Sequence, residues 1–142
     1  NTTGASKTVD RMLNIFSVAQ QEQIRMMLSV SILAVISQVL LNRIDKKGKV
    51  AAFEVMLVTT SIQNLIRERK TYTILSEIQT GGKMGMVPLD ASLIKLFKEG
   101  KISLEDVLTY AYDPQSTQTE LIAQGLIDET GEMKKKENEL KK

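Results

Sequence analysis

Apolar residues near the start of the chain recur three and four apart, at Val9, Met12, Leu13 and Phe16, while Lys7, Asp10, Arg11 and Asn14 take the other positions. This is the spacing of one face of an amphipathic helix, and with Ser6 in front as an N-cap it predicts a helix over residues 6–16. A polar run, Gln20 to Gln23, precedes Ile24, Met27 and Leu28, which place a second helix ending near Val30. The period then changes. Residues 32–44 and 49–58 are rich in β-branched and aliphatic side chains and flank Asp45, Lys46, Lys47 and Gly48, so they read as a β-hairpin, although the first few residues of the first run also suit a helix. Val50, Ala52, Val55, Leu57 and Val58 do not alternate cleanly with polar residues, which predicts a well-buried second strand. Its lone charge, Glu54, is expected on the solvent face or paired with a nearby Arg or Lys.

Thr59, Thr60 and Ser61 offer N-caps to a short helix over residues 61–68 with Ile62, Leu65 and Ile66 inward. Another helix follows over residues 71–79, with Ile74, Leu75 and Ile78 inward and Gly81 and Gly82 as its stop. Residues 81–87 read as a flexible connector. Pro88 suits the first turn of a helix through Leu89, Leu93, Leu96 and Phe97, which Gly100 terminates. Ser103 with Asp106 forms a near capping box for a helix over residues 104–110, and residues 113–116 break it. Residues 115–128 add one more helix through Leu121, Ile122 and Leu126. From Glu132 onward the chain is almost wholly Lys, Glu and Asn, which predicts a frayed, solvated tail.

Composition narrows the chemistry more than the fold. Nineteen basic and seventeen acidic residues among 142 leave a formal charge of +2, too balanced to require a nucleic-acid or membrane partner. The chain has no cysteine and no histidine, so disulfides, thiolate or imidazole metal sites and the Ser-His-Asp and Cys-His arrangements are excluded. The most apolar stretch, residues 26–41, is interrupted by Ser29, Ser31, Ser37 and Gln38 and is shorter than the ~20 residues that span a bilayer. Asn1, Thr2, Thr3 and Gly4 carry neither an initiator methionine nor the blocks of a signal peptide, and the chain reads as a piece of something longer.

No phosphate-binding G-x-x-x-x-G-K-[ST] string occurs; Gly81, Gly82, Lys83, Met84 and Gly85 lack both its spacing and a preceding strand. The carboxylates show no pairing for glycoside hydrolysis, and there is no calcium loop. The methionines at 12, 26, 27, 56, 84 and 86 fit core filling better than a promiscuous groove. The run Arg67, Glu68, Arg69 and Lys70 is basic enough to touch phosphate, but without interleaved aromatics it fits a polar helix end as well. Read from its residues alone, the chain is a soluble α+β unit, mostly helical, without an active site of its own.

Several blocks carry a resemblance that goes further. They are Lys7-Thr8-Val9-Asp10-Arg11, Met27-Leu28-Ser29, Val35-Ile36-Ser37-Gln38 and Val50-Ala51-Ala52-Phe53-Glu54-Val55-Met56, followed by Ser61-Ile62-Gln63-Asn64-Leu65-Ile66-Arg67-Glu68. Ile78-Gln79-Thr80-Gly81, Gly85-Met86 and Leu89-Asp90 complete the series. In order and spacing these resemble the C-terminal part of the PilT-like pilus retraction motors of the secretion ATPase family, over residues 6–112. The resemblance implies the distal part of a RecA-like α/β domain over residues 1–112, with the hairpin completing an edge of the parent's sheet, and residues 113–142 as an extra helix and charged tail. It also implies a hexameric parent that binds ATP and Mg, acts at the cytoplasmic face of the inner membrane on a pilus platform protein, and drives type IV pilus retraction and twitching motility.

The family's phosphate-binding loop, acidic motifs and histidine motif lie upstream of the block that begins at Lys7, so no catalytic, cofactor-binding or metal-binding residue is carried over to this chain. The residues that do transfer are those of the family's Ala-Ile-Arg-Asn-Leu-Ile-Arg-Glu signature, which the family associates with retraction rather than hydrolysis. Here they are Ser61, Ile62, Asn64, Leu65, Ile66, Arg67 and Glu68. An apolar face docked on its own domain and a charged face offered to a neighbour fit such a coupling role; an ordinary intrachain salt bridge fits Arg67 and Glu68 too. Gln63 stands where the family has arginine, removing a fixed charge, and Phe53 where histidine is usual, expected to add burial. Residues 42–48 form a direct turn where the assembly-type relatives carry a four-cysteine zinc element, which favours the retraction type over the assembly type; part of a zinc-free assembly-type pilus or type II secretion ATPase is one alternative. The alternative of another class is a stand-alone, non-enzymatic interaction module.

Overall fold

The computed structural model describes residues 4–133 of the chain. Helix α1 is Ala5–Asn14, and its buried stripe is Ala5, Val9 and Leu13, spaced by four. Met12 and Phe16, expected on the inner face, are exposed. Ser6 is not the N-cap: it lies inside the first turn and its hydroxyl donates to the Thr71 carbonyl at 2.8 Å. The cap position is Gly4, at φ 103°, which has no side chain to offer, so the helix's first amide looks elsewhere for an acceptor.

Helix α2 is Val18–Ser31, opened by Gln20 Oε1, which accepts from the Ser17 amide and hydroxyl at 3.3 and 2.8 Å. Its buried residues are Arg25 and Ser29, with Ile24 and Leu28 packed at the core's margin, while Met26, Met27 and Val30 face outward. The inward position predicted for Met27 is therefore wrong: the face that meets the fold is a mixed one, and an apolar count misorients it.

Strands β1, Ala34–Asn42, and β2, Lys49–Leu57, pair antiparallel from Ala34 opposite Leu57 to Asn42 opposite Lys49, as the two apolar runs and their turn predict. Strand β2 is nevertheless not buried on both faces. Ala52, Glu54 and Met56 point inward, and Phe53, on the opposite face, is 43% exposed, so it adds little burial. Glu54 is 1% exposed and makes no salt bridge among the described residues, contrary to both sites expected for it.

Helix α3 is Thr60–Arg67, with the Thr59 hydroxyl accepting from the Ile62 amide at 3.3 Å. A 3-10 turn over Thr71–Thr73 leads into α4, Ile74–Thr80. The following segment is no loose connector. Gly81–Met84 forms a second 3-10 turn, Met86 is buried, and Val87 exchanges two backbone hydrogen bonds with Val55, at 2.9 and 3.0 Å. That pairing keeps Pro88 extended, as the cap rather than the first turn of α5, Leu89–Lys98. Gly100, at φ 70°, ends α5, and Ser103 caps α6, Leu104–Tyr110, accepting from the Asp106 amide at 3.1 Å.

Asp113 does more than break α6. It caps α7, Pro114–Ala123, through the Ser116 amide at 3.0 Å, with Pro114 in the first turn. Helix α7 stops well before residue 128, followed by Gly125 at φ 69°, and Leu126 packs on the core from the loop beyond. Most of the predicted charged tail lies outside the described residues. Among the described residues no helix is long and apolar enough to cross a membrane.

The core has two lobes that share β2. One gathers Ala5, Val9, Leu13, Met56, Ile62, Ile66, Ile74 and Ile78 from α1, β2, α3 and α4, with Met86 from the segment before α5. The other gathers Leu41 and Ala52 with residues of α5, α6 and α7 and the nearby loops, including Leu93, Phe97, Val107, Leu121 and Ile127. On the inner face of β2, Ala52 belongs to one lobe and Met56 to the other, and Glu54 stands between them.

Candidate functional site

The residues singled out on α3 divide by depth. Ile62 and Ile66 are fully buried, one turn apart, and each contributes about 2–3 kcal/mol of apolar burial that anchors the helix to α1, α4 and β2. Leu65 packs at the margin of the same lobe. Ser61, Asn64 and Glu68 face solvent, and Gln63 and Arg67 lie half-buried. Arg67 donates through Nη2 to the Asn64 side-chain oxygen, and Glu68 pairs with Lys70 at 2.7 Å. The Lys70 ammonium holds the Glu68 carboxyl below its ordinary range. The structure thus brings the signature residues together on one helix, with the apolar members as its root and the polar members at its surface and tip.

The tip has a specific geometry. The Lys70 amide bonds the Leu65 carbonyl at 2.8 Å and the Arg69 amide bonds the Ile66 carbonyl at 3.4 Å, the two reverse bonds of a Schellman ending. Such an ending needs a left-handed residue, usually glycine; here Arg69 takes it at φ 61°, the one positive-φ non-glycine among the described residues. The conformation aims its guanidinium at Glu22 on α2, and the two are hydrogen-bonded.

Arg25, also on α2, reaches under the same tip and donates through Nη1 to the Ile66 carbonyl at 3.3 Å. A guanidinium at the carboxyl end of a helix meets the negative end of its dipole. Neither Glu22 nor Arg25 was singled out in the sequence. A basic residue between Ile24 and Met26, Met27 and Leu28 was the one signal available, and the assumption of an apolar inner face on α2 concealed it.

The second polar centre is Glu54. Its Oε1 accepts the Ala5 amide at 2.7 Å, so a carboxylate from β2 supplies the cap that Gly4 cannot. Oε2 has no hydrogen-bond partner among the described residues, and the Tyr112 phenol acts on the same carboxyl. Burial pushes the Glu54 carboxyl up, more than the Ala5 amide and the phenol pull it down, and burial with the Glu54 charge raises the Tyr112 phenol in turn. Asp90, at the start of α5, holds the Tyr112 segment in place: it accepts the Tyr112 amide at 2.8 Å, the Asp113 amide at 3.3 Å and the Thr117 hydroxyl at 3.2 Å. A cavity of about 190 Å³ opens beside this centre, lined by Ser6, Lys7, Glu54, Tyr72, Leu75, Ile78 and Tyr112.

The ATP and Mg that the resemblance implies find no fitting residues here. The glycines at 81 and 82 sit in a 3-10 turn, and a Cβ at Gly81 would stand 2.6 Å from the Met86 sulfur, so this glycine serves close packing rather than an anion cradle. Among the described residues no three Asp, Glu, His or Cys side chains gather to hold a metal ion.

Comparison with known proteins gives a consistent result. The chain is 43% identical over 116 residues to a twitching motility protein of Neisseria gonorrhoeae, covering 82% of this chain and 31% of that protein. It is 44% identical over 116 residues to the type IV pilus retraction ATPase PilT of Pseudomonas aeruginosa, covering 82% of this chain and 33% of the relative. Its fold matches the crystal structure of a PilT pilus retraction motor with bound ADP at a TM-score of 0.66 and 38% identity, over 82% of this chain and 32% of that one. The chain thus spans about a third of the length of these relatives. No family model matches it.

Proposed function

Because the chain is a partial homologue of the PilT retraction ATPases, within the secretion ATPase family, we propose that it is the C-terminal part of a hexameric motor that powers type IV pilus retraction and twitching motility. In this reading the nucleotide and Mg bind to the portion of the parent that precedes Lys7, at the cytoplasmic face of the inner membrane. The residues described above hold and transmit rather than hydrolyse. Helix α3 is the coupling element: Ile62 and Ile66 root it in the lobe formed with α1 and α4, and Arg67 and the tip face outward toward the inner-membrane pilus platform protein.

The observation that carries the reading is the division of α3 into a fully buried root and a polar tip, within a fold 38% identical to a retraction motor. A helix built this way moves with its domain and cannot rotate independently of it, as a transmitting element must. The test is made in the intact parent protein. Replacing Leu65 or Arg67 by alanine is expected to abolish or sharply reduce retraction while ATP hydrolysis persists. Loss of both activities together would assign the helix to the motor's own stability, and retention of both would remove its coupling role.

A further inference from the structure

Arg25 is incompletely satisfied for a buried cation. Nη1 bonds the Ile66 carbonyl at 3.3 Å, but Nε is buried and has no hydrogen-bond partner among the described residues. Glu22 Oε1, three residues back on the same helix, stands 3.7 Å from that Nε. The same oxygen accepts the Arg69 guanidinium. Two cations therefore compete for one carboxylate oxygen, and their surroundings differ: the Arg25 side chain is 11% exposed and that of Arg69 is 66% exposed. An unmade hydrogen bond is more costly at a buried charged donor than at an exposed one, which water serves equally well. Glu22 is thus held outward by Arg69 while a more demanding donor waits within a short side-chain movement.

The tip that carries Arg69 also carries Arg67, bonded to a neutral amide, and Lys70, which Glu68 already neutralises. Its surplus is positive, so it fits an acidic surface. We propose that Glu22 is a relay: when an acidic side chain of a protein partner takes Arg69, Glu22 leaves the α3 tip and closes on Arg25 Nε within α2. Arg25 is then held by Ile66 on α3 and by Glu22 on its own helix, so engagement at the surface releases the tip's bridge to α2 and orients the buried guanidinium beneath it. The proposal rests on reading α3 as the coupling helix and adds the chemistry of its partner and the way contact is registered.

The test uses the ¹⁵N-labelled 142-residue chain and the Arg25 Nε–H resonance, identified by its loss in Arg25→Lys or, should that variant not fold, by proximity to assigned α2 amides. In Arg69→Ala this resonance is expected to move downfield and its exchange with water to slow several-fold, and Glu22→Gln in that background should reverse both changes. Titrating the unaltered chain with a hexaglutamate peptide at low salt is expected to reproduce the shift seen in Arg69→Ala. An unchanged resonance in Arg69→Ala, or a shift that survives Glu22→Gln, overturns the relay. A shift in Arg69→Ala without any response to the peptide overturns the acidic partner. Failure of the coupling role reads out separately, as retraction that persists with Leu65 or Arg67 replaced, and leaves these spectra as they are.

Discussion

Glu54 Oε1 accepts the Ala5 amide at 2.7 Å across 49 residues of chain, so the first turn of α1 is capped by a strand from the middle of the fold. The cap is buried, and burial pushes the carboxyl's pKa up from its ordinary 4.5. The folded state therefore keeps this proton at a pH where the unfolded chain has released it. Glu54 makes stability fall as pH rises from about 4.5 through the raised folded value, and level off above it. Glu54→Gln keeps an acceptor for Ala5 and removes the titration. Denaturant midpoints measured from pH 4 to 8 should show this part of the slope flattened, with the variant at least as stable as the parent chain at pH 8. Glu54→Ala, which leaves the amide unserved, should cost about 1–3 kcal/mol at any of these pH values.

Gly4 stands at φ 103°, and a Cβ there would lie 1.7 Å from the Tyr112 hydroxyl oxygen and 2.9 Å from the ring carbon that bears it. Gly4→Ala is expected to destabilise the chain by roughly 2–4 kcal/mol through backbone strain and displacement of the ring. Tyr112→Phe should recover part of that loss, because it removes the closer of the two atoms. Urea unfolding of the two single variants and the double variant measures the coupling, and additivity would show that the ring simply swings away.

Asp90 satisfies two backbone amides of the segment that joins α6 to α7 and the Thr117 hydroxyl of α7. Asp90→Ala should cost about 1–3 kcal/mol and loosen that junction before the rest of the fold. Hydrogen exchange is the suitable measurement: the Tyr112 and Asp113 amides should lose protection, while those of β1 and β2 keep theirs.

On α3, depth predicts sensitivity. Ile62→Ala or Ile66→Ala should each cost about 2–5 kcal/mol, since both are fully buried among α1, α4 and β2. Ser61→Ala and Asn64→Ala, on the solvent side, should stay within about 0.5 kcal/mol. Thermal or urea unfolding of the four variants separates root from surface, and equal effects on both sides would contradict the orientation of the helix.

Regular features were legible in the sequence and exceptions to pattern were not. The hairpin, the short helix after Thr59, the glycine stop at 100 and the Ser103 cap all follow from local rules, and all appear where those rules put them. Three misreadings share a cause. Glu54, Arg25 and Val87 each have a partner far away in the chain, so hydropathy placed Glu54 outside, ignored Arg25 and left Val87 in a loop. Phe53 and Met27 erred in the opposite direction, as apolar side chains that the packing leaves in the open. A polar group that is buried and bonded at long range leaves no periodic trace. The lone charge in an apolar strand was the visible hint of Glu54, and only the approach of α1 shows what it does.

The pairing of Val87 with Val55 has a mechanical meaning. It fastens the segment after α4 to the strand that both lobes share, just ahead of α5. A load applied at α3 can therefore pass to α5 across hydrogen bonds in the plane of the sheet, without depending on a slack loop.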